Sequence, residues 1–250
     1  MRTPLLAGNW KMFKTPAETK AFFEKFLPLV EKSTHADVAI CPPFVDIAAA
    51  VDAAAGSRVG IGGQNCYWQN KEGAFTGEVT PAMLKAAGCS YVIIGHSERR
   101  QYFGETDETV LKRTKAALEA GLTPMVCVGE MLADRESGKT NEVLATQFHG
   151  GIAGLTAEEF AKIVIAYEPV WAIGTGKVAT PEIAQDTHKA IRDLVSAKFG
   201  SDAAAAVRIL YGGSVKPDNV AGLMAKPDID GALVGGAALK PEDFAGIVNF

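Results

Sequence analysis

The chain has 250 residues, of which 48% are hydrophobic and 22% charged; these values are close to the average of folded globular proteins and exclude a disordered chain, a collagen-like repeat and a coiled coil. Its 25 Lys and Arg against 29 Asp and Glu leave a net charge of −4, without the basic footprint that nucleic acid or an anionic membrane surface requires. No uncharged apolar run approaches the roughly 20 residues of a membrane span, and the stretch from Leu5 to Gly8 is too short for the core of a secretory signal.

In chain order, Leu5-Leu6-Ala7-Gly8 is the first of eight short apolar runs. Thr15-Pro16 then places a capping hydroxyl before a proline at a first helical position, and Glu18 completes a capping box. Val38-Ala39-Ile40-Cys41 and Val59-Gly60-Ile61-Gly62 follow, and Thr80-Pro81 opens a helix that stops at Gly88. After Tyr91-Val92-Ile93-Ile94, the residues Val110, Leu111, Thr114, Ala117 and Leu118 share one helical face, which ends at Gly121. Met125-Val126-Cys127-Val128 and Ile163-Val164-Ile165-Ala166 precede a third helix, from Thr180-Pro181 to Gly200. Arg208-Ile209-Leu210-Tyr211 and Ala232-Leu233-Val234 close the series.

These runs are continuous rather than alternating, and many are β-branched, so they read as strands buried on both faces in a parallel sheet. Starts at about residues 5, 37, 59, 91, 123, 163, 208 and 231 leave room for a crossover helix in most intervals. Eight successive βα units predict an α/β fold of the (β/α)8 barrel class, eight parallel strands ringed by helices, as a single domain over residues 1–250. The alternative, an open doubly wound sheet, usually carries Gly-x-Gly-x-x-Gly after its first strand, where this chain has Gly8-Asn9-Trp10-Lys11.

Cys41, Cys66, Cys89 and Cys127 lie 23 to 38 residues apart with no Cys-x-x-Cys pair, the usage of a reducing compartment, so a cytoplasmic location is expected. His35, His96, His149 and His188 show no ligand spacing, and no metal site is expected.

A (β/α)8 barrel builds its active site from the loops at the carboxyl ends of the strands. Those positions carry Asn9 and Lys11, then His96, Ser97 and Glu98, then Glu130, Glu168, Gly212-Gly213-Ser214 and Gly235-Gly236. Each has a plainer reading. A lone His at a strand end is more often structural, Glu168 suits a solvated loop acid, Lys11 an ordinary surface lysine, and Glu98 and Glu130 are evenly balanced between ion pair and catalytic support. Convergence at one barrel end favours chemistry for His96, Glu168 and Lys11, while Cys127 in mid-strand is most simply a small core hydrophobe. Gly174-Thr175-Gly176-Lys177 imitates the end of a nucleotide P-loop, but Trp171 and Val178 occupy positions that need glycine and a hydroxyl, so nucleotide binding is rejected.

The motifs Gly8-Asn9-Trp10-Lys11, Gly62-Gly63-Gln64-Asn65, Ile94-Gly95-His96-Ser97-Glu98-Arg99-Arg100, Gly129-Glu130, Glu168 with the segment after it, Tyr211-Gly212-Gly213-Ser214 and Gly235-Gly236, in this order along essentially the whole chain, resemble the triosephosphate isomerase family. The resemblance implies cofactor-free interconversion of dihydroxyacetone phosphate and glyceraldehyde 3-phosphate through an enediolate. It makes Glu168 the base, His96 the electrophile, Lys11 and Asn9 the stabilisers of developing charge, and Glu98 the residue that positions Lys11. The substrate phosphate would sit on backbone N–H groups near Gly174, Ser214, Gly235 and Gly236. It also implies that Pro169 to Ala179 closes as a lid. Residues following His96 can start a helix, whose dipole favours a neutral imidazole. The segment from Gln64 to Thr80 is long for a compact domain and carries Tyr67, Trp68 and Phe75, which predicts a homodimer. In the resembled family this loop docks beside the other subunit's active site, which brings Thr76 and Gly77 near Asn9, Lys11 and His96 across the interface. Rival readings are an aldolase with Lys11 as a Schiff-base nucleophile and a non-catalytic binding protein on a retained barrel.

Overall fold

In the computed structural model, which describes residues 2–173 and 179–250, eight parallel strands close into a barrel. They are β1 (Leu5–Asn9), β2 (Asp37–Cys41), β3 (Val59–Gly63), β4 (Tyr91–Ile94), β5 (Thr123–Val128), β6 (Val164–Tyr167), β7 (Ile209–Tyr211) and β8 (Gly231–Val234). Each strand pairs with the next in sequence, and β1 closes the ring: Leu5 lies opposite Asp37 on one side and Gly231 on the other. The expected barrel is therefore the observed one, with β6 and β7 each beginning one residue later than the sequence reading placed them.

Although the strand sequences look uniformly apolar, alternate residues go to opposite faces, as the pleat requires. Leu5, Ala7, Ala39, Cys41, Ile93, Met125, Cys127, Val164, Ala166, Leu210 and Leu233 form one cluster made of strand residues, the filling of the barrel. Leu6, Val38, Ile40, Val126, Ile165 and Tyr167 point the other way and pack against helix residues such as Phe23, Phe26, Val110, Ile191 and Phe244. Burial on both faces is why the alternation is invisible in the sequence.

The ring comprises α1 (Pro16–Val30), α2 (Ile47–Ala54), α3 (Pro81–Ala86), α4 (Ser97–Tyr102), α5 (Asp107–Glu119), α6 (Leu132–Glu136), α7 (Thr140–Gly151), α8 (Ala157–Phe160), α9 (Pro181–Phe199), α10 (Ser201–Ala206), α11 (Val220–Met224) and α12 (Pro241–Val248). The three Thr-Pro starts cap as expected: Thr15, Thr80 and Thr180 accept from the backbone N–H of Glu18, Met83 and Ile183, and Thr15 with Glu18 forms the full capping box. Gly88, Gly121 and Gly200, just beyond α3, α5 and α9, take positive φ. The buried face of α5 is rotated from its expected position. Arg113 and Ala116 are buried while Leu111 and Leu118 are only partly so, because the segment between β3 and α3 lies over α5: Arg113 Nε donates to the Cys66 carbonyl at 2.9 Å and its guanidinium stacks 4.8 Å from the Trp68 ring. No helix among the described residues is long and apolar enough to cross a membrane.

One buried titratable group couples the ring to pH. His188 on α9 is inaccessible, its ring 5.7 Å from that of Tyr167 and 6.3 Å from that of Tyr211, with Nδ1 3.2 Å from the Asp228 carbonyl. Burial pushes its pKa down to about 3. Below the ordinary value of 6.5 the unfolded chain binds a proton that the folded chain refuses, so stability is full above pH 6.5 and declines as pH falls towards 3. His188→Phe keeps a ring between the two tyrosines. We expect it to be less stable at neutral pH, through loss of the Asp228 contact, but to show a shallower fall of melting temperature between neutral and acidic pH. An unchanged acid slope would remove His188 from that account.

Candidate functional site

Strand ends on one side of the barrel border a cavity of about 770 Å3. Asn9, Lys11, His96 and Glu168 line it, and so do Gly212, Gly213, Ser214, Gly235 and Gly236. Of the nine residues to which the resemblance gives roles, eight thus meet or adjoin at one place, since Glu98, absent from the lining, contacts Lys11 directly. Gly174, the ninth, and the tip of the expected lid lie outside the described residues.

β1 delivers Asn9 and, two residues on, Lys11, whose φ of +51° falls in the left-handed region that ordinary side chains seldom adopt. Two side chains hold it there. Asn9 Oδ1 accepts the Lys11 N–H at 3.0 Å, and Gln64 Nε2 donates to the carbonyls of Lys11 and Cys41 at 2.8 and 2.9 Å. The Lys11 ammonium then reaches Glu98 Oε1 at 2.6 Å. Behind Asn9, Trp10 is fully buried, donates to the Ala238 carbonyl at 2.9 Å and so ties β1 to the turn after β8.

His96 caps the N-terminus of α4: its Nδ1 accepts the Glu98 backbone N–H at 3.2 Å, leaving Nε2 as the protonated nitrogen. That Nε2 lies 2.8 Å from Glu168 Oε1. The other oxygen of Glu168 accepts the Ser97 N–H at 2.9 Å. Glu168 itself is placed by its own N–H on the Val128 carbonyl at 2.8 Å. Gly129 makes that approach feasible, because a Cβ there would stand 1.7 Å from the Glu168 carbonyl oxygen.

Electrostatics set this pair apart. Burial pushes the Glu168 carboxyl up, but the His96 ring, the Ser97 N–H and the Cys127 thiol together hold it below the ordinary carboxylate value. Burial pushes His96 down, but the Glu168 carboxylate together with that of Glu98 raises its proton affinity overall. A second proton on His96 would nevertheless have to enter at Nδ1, which faces a backbone donor, and on that ground we assign the resting ring as neutral. Ser97, placed by sequence at the end of β4 without a role, holds Glu168 mainly through its main-chain N–H, which residue identity does not advertise, and more weakly through its hydroxyl, 3.4 Å from Oε1.

Glu130, evenly balanced in sequence, has a structural place. It is fully buried outside the cavity lining, accepts from Tyr167 Oη at 3.1 Å and Trp171 Nε1 at 2.8 Å, and its carbonyl takes the Val170 N–H at 3.1 Å. Burial raises its carboxyl. All four cysteines are free and buried, with the Cys66 and Cys89 thiols pushed up to about 12 and about 11 and those of Cys41 and Cys127 raised as well, so none is a nucleophile. Among the described residues no grouping of His, Cys, Asp and Glu has the makings of a metal site.

The far end of the cavity is different in character. Ser214, Gly235 and Gly236 follow β7 and β8, and a helical turn over Gly236–Leu239 starts there. Small residues and main-chain N–H groups at a turn start make a surface suited to an anion.

The family model for triosephosphate isomerase matches residues 4–250. Triosephosphate isomerase of Solibacter usitatus is 72% identical over 250 residues, covering all of both chains, and that of Trichlorobacter lovleyi 58% identical, covering all of this chain and 99% of its own. The chain belongs to the triosephosphate isomerase family. With its triosephosphate isomerase relatives it is an enzyme, an isomerase. A solved triosephosphate isomerase, from Bartonella henselae, superimposes with a TM-score of 0.89 at 40% identity, covering 99% of this chain and 98% of that one.

Proposed function

We propose that the protein interconverts dihydroxyacetone phosphate and D-glyceraldehyde 3-phosphate through an enediolate, without a cofactor. The observation that carries this reading is the arrangement of one cavity: a carboxylate, an imidazole N–H and an ammonium at one end, and glycine-rich turns that suit a phosphate at the other.

Glu168 takes a proton from C1 of the ketone; the C–H electron pair becomes the C1–C2 double bond, and the carbonyl pair moves onto O2. His96 Nε2–H delivers a proton to O2 and recovers one from O1. Glu168 then returns its proton to C2, and O1 becomes the aldehyde oxygen. Lys11 and Asn9 stabilise the negative charge while it resides on O1 and O2. Glu98 holds the Lys11 ammonium in line, and Ser214, Gly235 and Gly236, with Gly174, receive the phosphate. In the resting arrangement the Glu168 carboxylate faces Ser97 and His96, so it must turn towards the substrate carbon before it acts. A coupled assay of purified protein with glyceraldehyde 3-phosphate tests the reading, and a folded protein without turnover would overturn it. An aldolase role for Lys11 fits less well, because its nitrogen is engaged in an ion pair with Glu98 rather than free to attack a carbonyl; borohydride trapping with dihydroxyacetone phosphate is expected to leave no adduct.

We read residues 1–250 as one barrel domain that works as a homodimer in the cytoplasm, where free cysteines persist. Tyr67 stacks on Trp68 at 4.3 Å and meets Phe75 in a tilted contact at 4.7 Å, giving the 64–80 segment a shape of its own, while Phe75 and, on neighbouring strand-end loops, Met12, Phe13, Phe44 and Val45 are exposed. A second copy covering these groups would bring Thr76 and Gly77 towards the partner's Asn9, Lys11 and His96. Sedimentation at micromolar concentration is expected to show a dimer; an active monomer would refute it.

A further inference from the structure

We propose that Arg100 is a positioning residue for the His96–Glu168 pair, acting through the two backbone segments on which those side chains are mounted; this rests on the isomerase reading above. Arg100 lies on α4 with its side chain mostly buried, 16% exposed. Its planar fork makes three contacts on three elements: Nε donates to the Gly95 carbonyl at 2.9 Å, one terminal nitrogen to the Cys127 carbonyl at 3.2 Å, and the other to Asp107 Oδ1 at the start of α5 at 2.5 Å.

The two carbonyls are what matter. Gly95 O belongs to the peptide that joins Gly95 to His96, so fixing that oxygen fixes the plane from which the imidazole departs. Gly95 has φ of +70°, which glycine adopts readily but does not by itself enforce. A Cβ there would meet Val110 at 2.7 Å and the Arg100 guanidinium at 3.3 Å, a measure of how closely this turn is enclosed. Cys127 O belongs to the peptide leading into Val128, and Val128 O accepts the Glu168 N–H. One rigid cation thus spans the main chain just before His96 and the main chain from which Glu168 hangs, and Nε2 to Oε1 of that pair is 2.8 Å. A lysine offers a point charge on a flexible stem and does not reproduce three directed bonds in one plane. The Asp107 carboxylate neutralises the guanidinium and orients it from the far side, away from the cavity.

The test is steady-state kinetics of R100A, R100K and D107N beside the wild type, each with its melting temperature. If Arg100 positions the pair, R100A and R100K lose about 10²-fold in kcat with KM within a few fold, because a misplacement of about 1 Å affects proton transfer more than substrate binding. Adding guanidinium ion, well below denaturing concentrations, is expected to restore part of kcat in R100A but none in R100K, whose side chain fills the vacancy. D107N, which leaves both carbonyl contacts in place, is expected to lose far less. Structural support alone predicts something else: a lowered melting temperature, kcat per folded molecule unchanged, and no response to guanidinium. That outcome overturns the proposal, as does a loss confined to KM. An inactive wild type would instead defeat the isomerase reading, so the two failures are distinct.

Discussion

Glu168→Asp is expected to reduce turnover about 10²-fold while leaving the melting temperature nearly unchanged. The shorter side chain keeps the charge but withdraws it by one methylene from the position at which it meets the substrate carbon. Glu168→Gln removes the proton acceptor altogether and is expected to cost about 10³-fold or more. Stability responds differently, because the carboxylate is 2% exposed and its burial is unfavourable until the Ser97 N–H, His96 and Cys127 compensate. Glutamine retains an oxygen for the Ser97 N–H but turns its amide N–H group against His96 Nε2–H and forfeits the contacts that hold the carboxyl below its ordinary value, so Glu168→Gln is expected to lose some stability at neutral pH. Paired measurements of kcat and of thermal unfolding decide the matter. If turnover fell only in proportion to the loss of folded protein, Glu168 would be a structural acid and not the base.

The barrel was legible because its signals are local. Thr15, Thr80 and Thr180 each announce a helix through a hydroxyl and a following proline, and Gly88, Gly121 and Gly200 mark helix ends through a backbone conformation that glycine favours. The positions of Asn9, Lys11, His96 and Glu168 were legible at one remove, since strand ends in such a barrel converge whatever their separation in sequence. What the sequence withheld are contacts to main-chain atoms. Gln64 on the Lys11 carbonyl, the Ser97 N–H on Glu168 and Arg100 on Gly95 and Cys127 are of this kind, because a backbone donor or acceptor looks the same at nearly every residue. Glu130 illustrates the same limit for side chains: only the partners Tyr167 and Trp171 show that it braces the segment after β6. The α5 face was misplaced for a tertiary reason, the 64–80 segment lying over Arg113, which periodicity along the helix cannot register.

His96→Gln is expected to lower kcat by about 10²-fold or more, with His96 of the native enzyme observed as a neutral imidazole carrying its proton on Nε2. Opposing influences bear on this ring. Burial disfavours the cation, the Glu168 carboxylate at 2.8 Å and the Glu98 carboxylate favour it, and the Lys11 ammonium opposes it. The charge balance alone tips towards the cation, but it does not say where the second proton would go. Nδ1 faces the Glu98 N–H at 3.2 Å, at the N-terminus of α4, where two positive influences oppose a proton: the donor itself and the helix dipole. Glu98 Oε2 stands 3.6 Å from Nδ1, too far to replace that bond, and the other oxygen of Glu98 is engaged by Lys11. Neutrality also suits the chemistry, because a neutral imidazole N–H and an enediol are both weak acids and can exchange a proton between O1 and O2 in either direction, whereas an imidazolium would surrender its proton and hold the reaction at the enediol. Nitrogen-15 resonance of labelled protein at neutral pH reads the tautomer directly: one protonated and one bare ring nitrogen are expected, and two protonated nitrogens would contradict the assignment. In Glu168→Gln the neighbouring carboxylate that raises the His96 proton affinity is gone, so that affinity should fall, and the ring should stay neutral to lower pH than in the native enzyme. A ring that became easier to protonate in that variant would mean that its charge is governed by something other than the contacts described here.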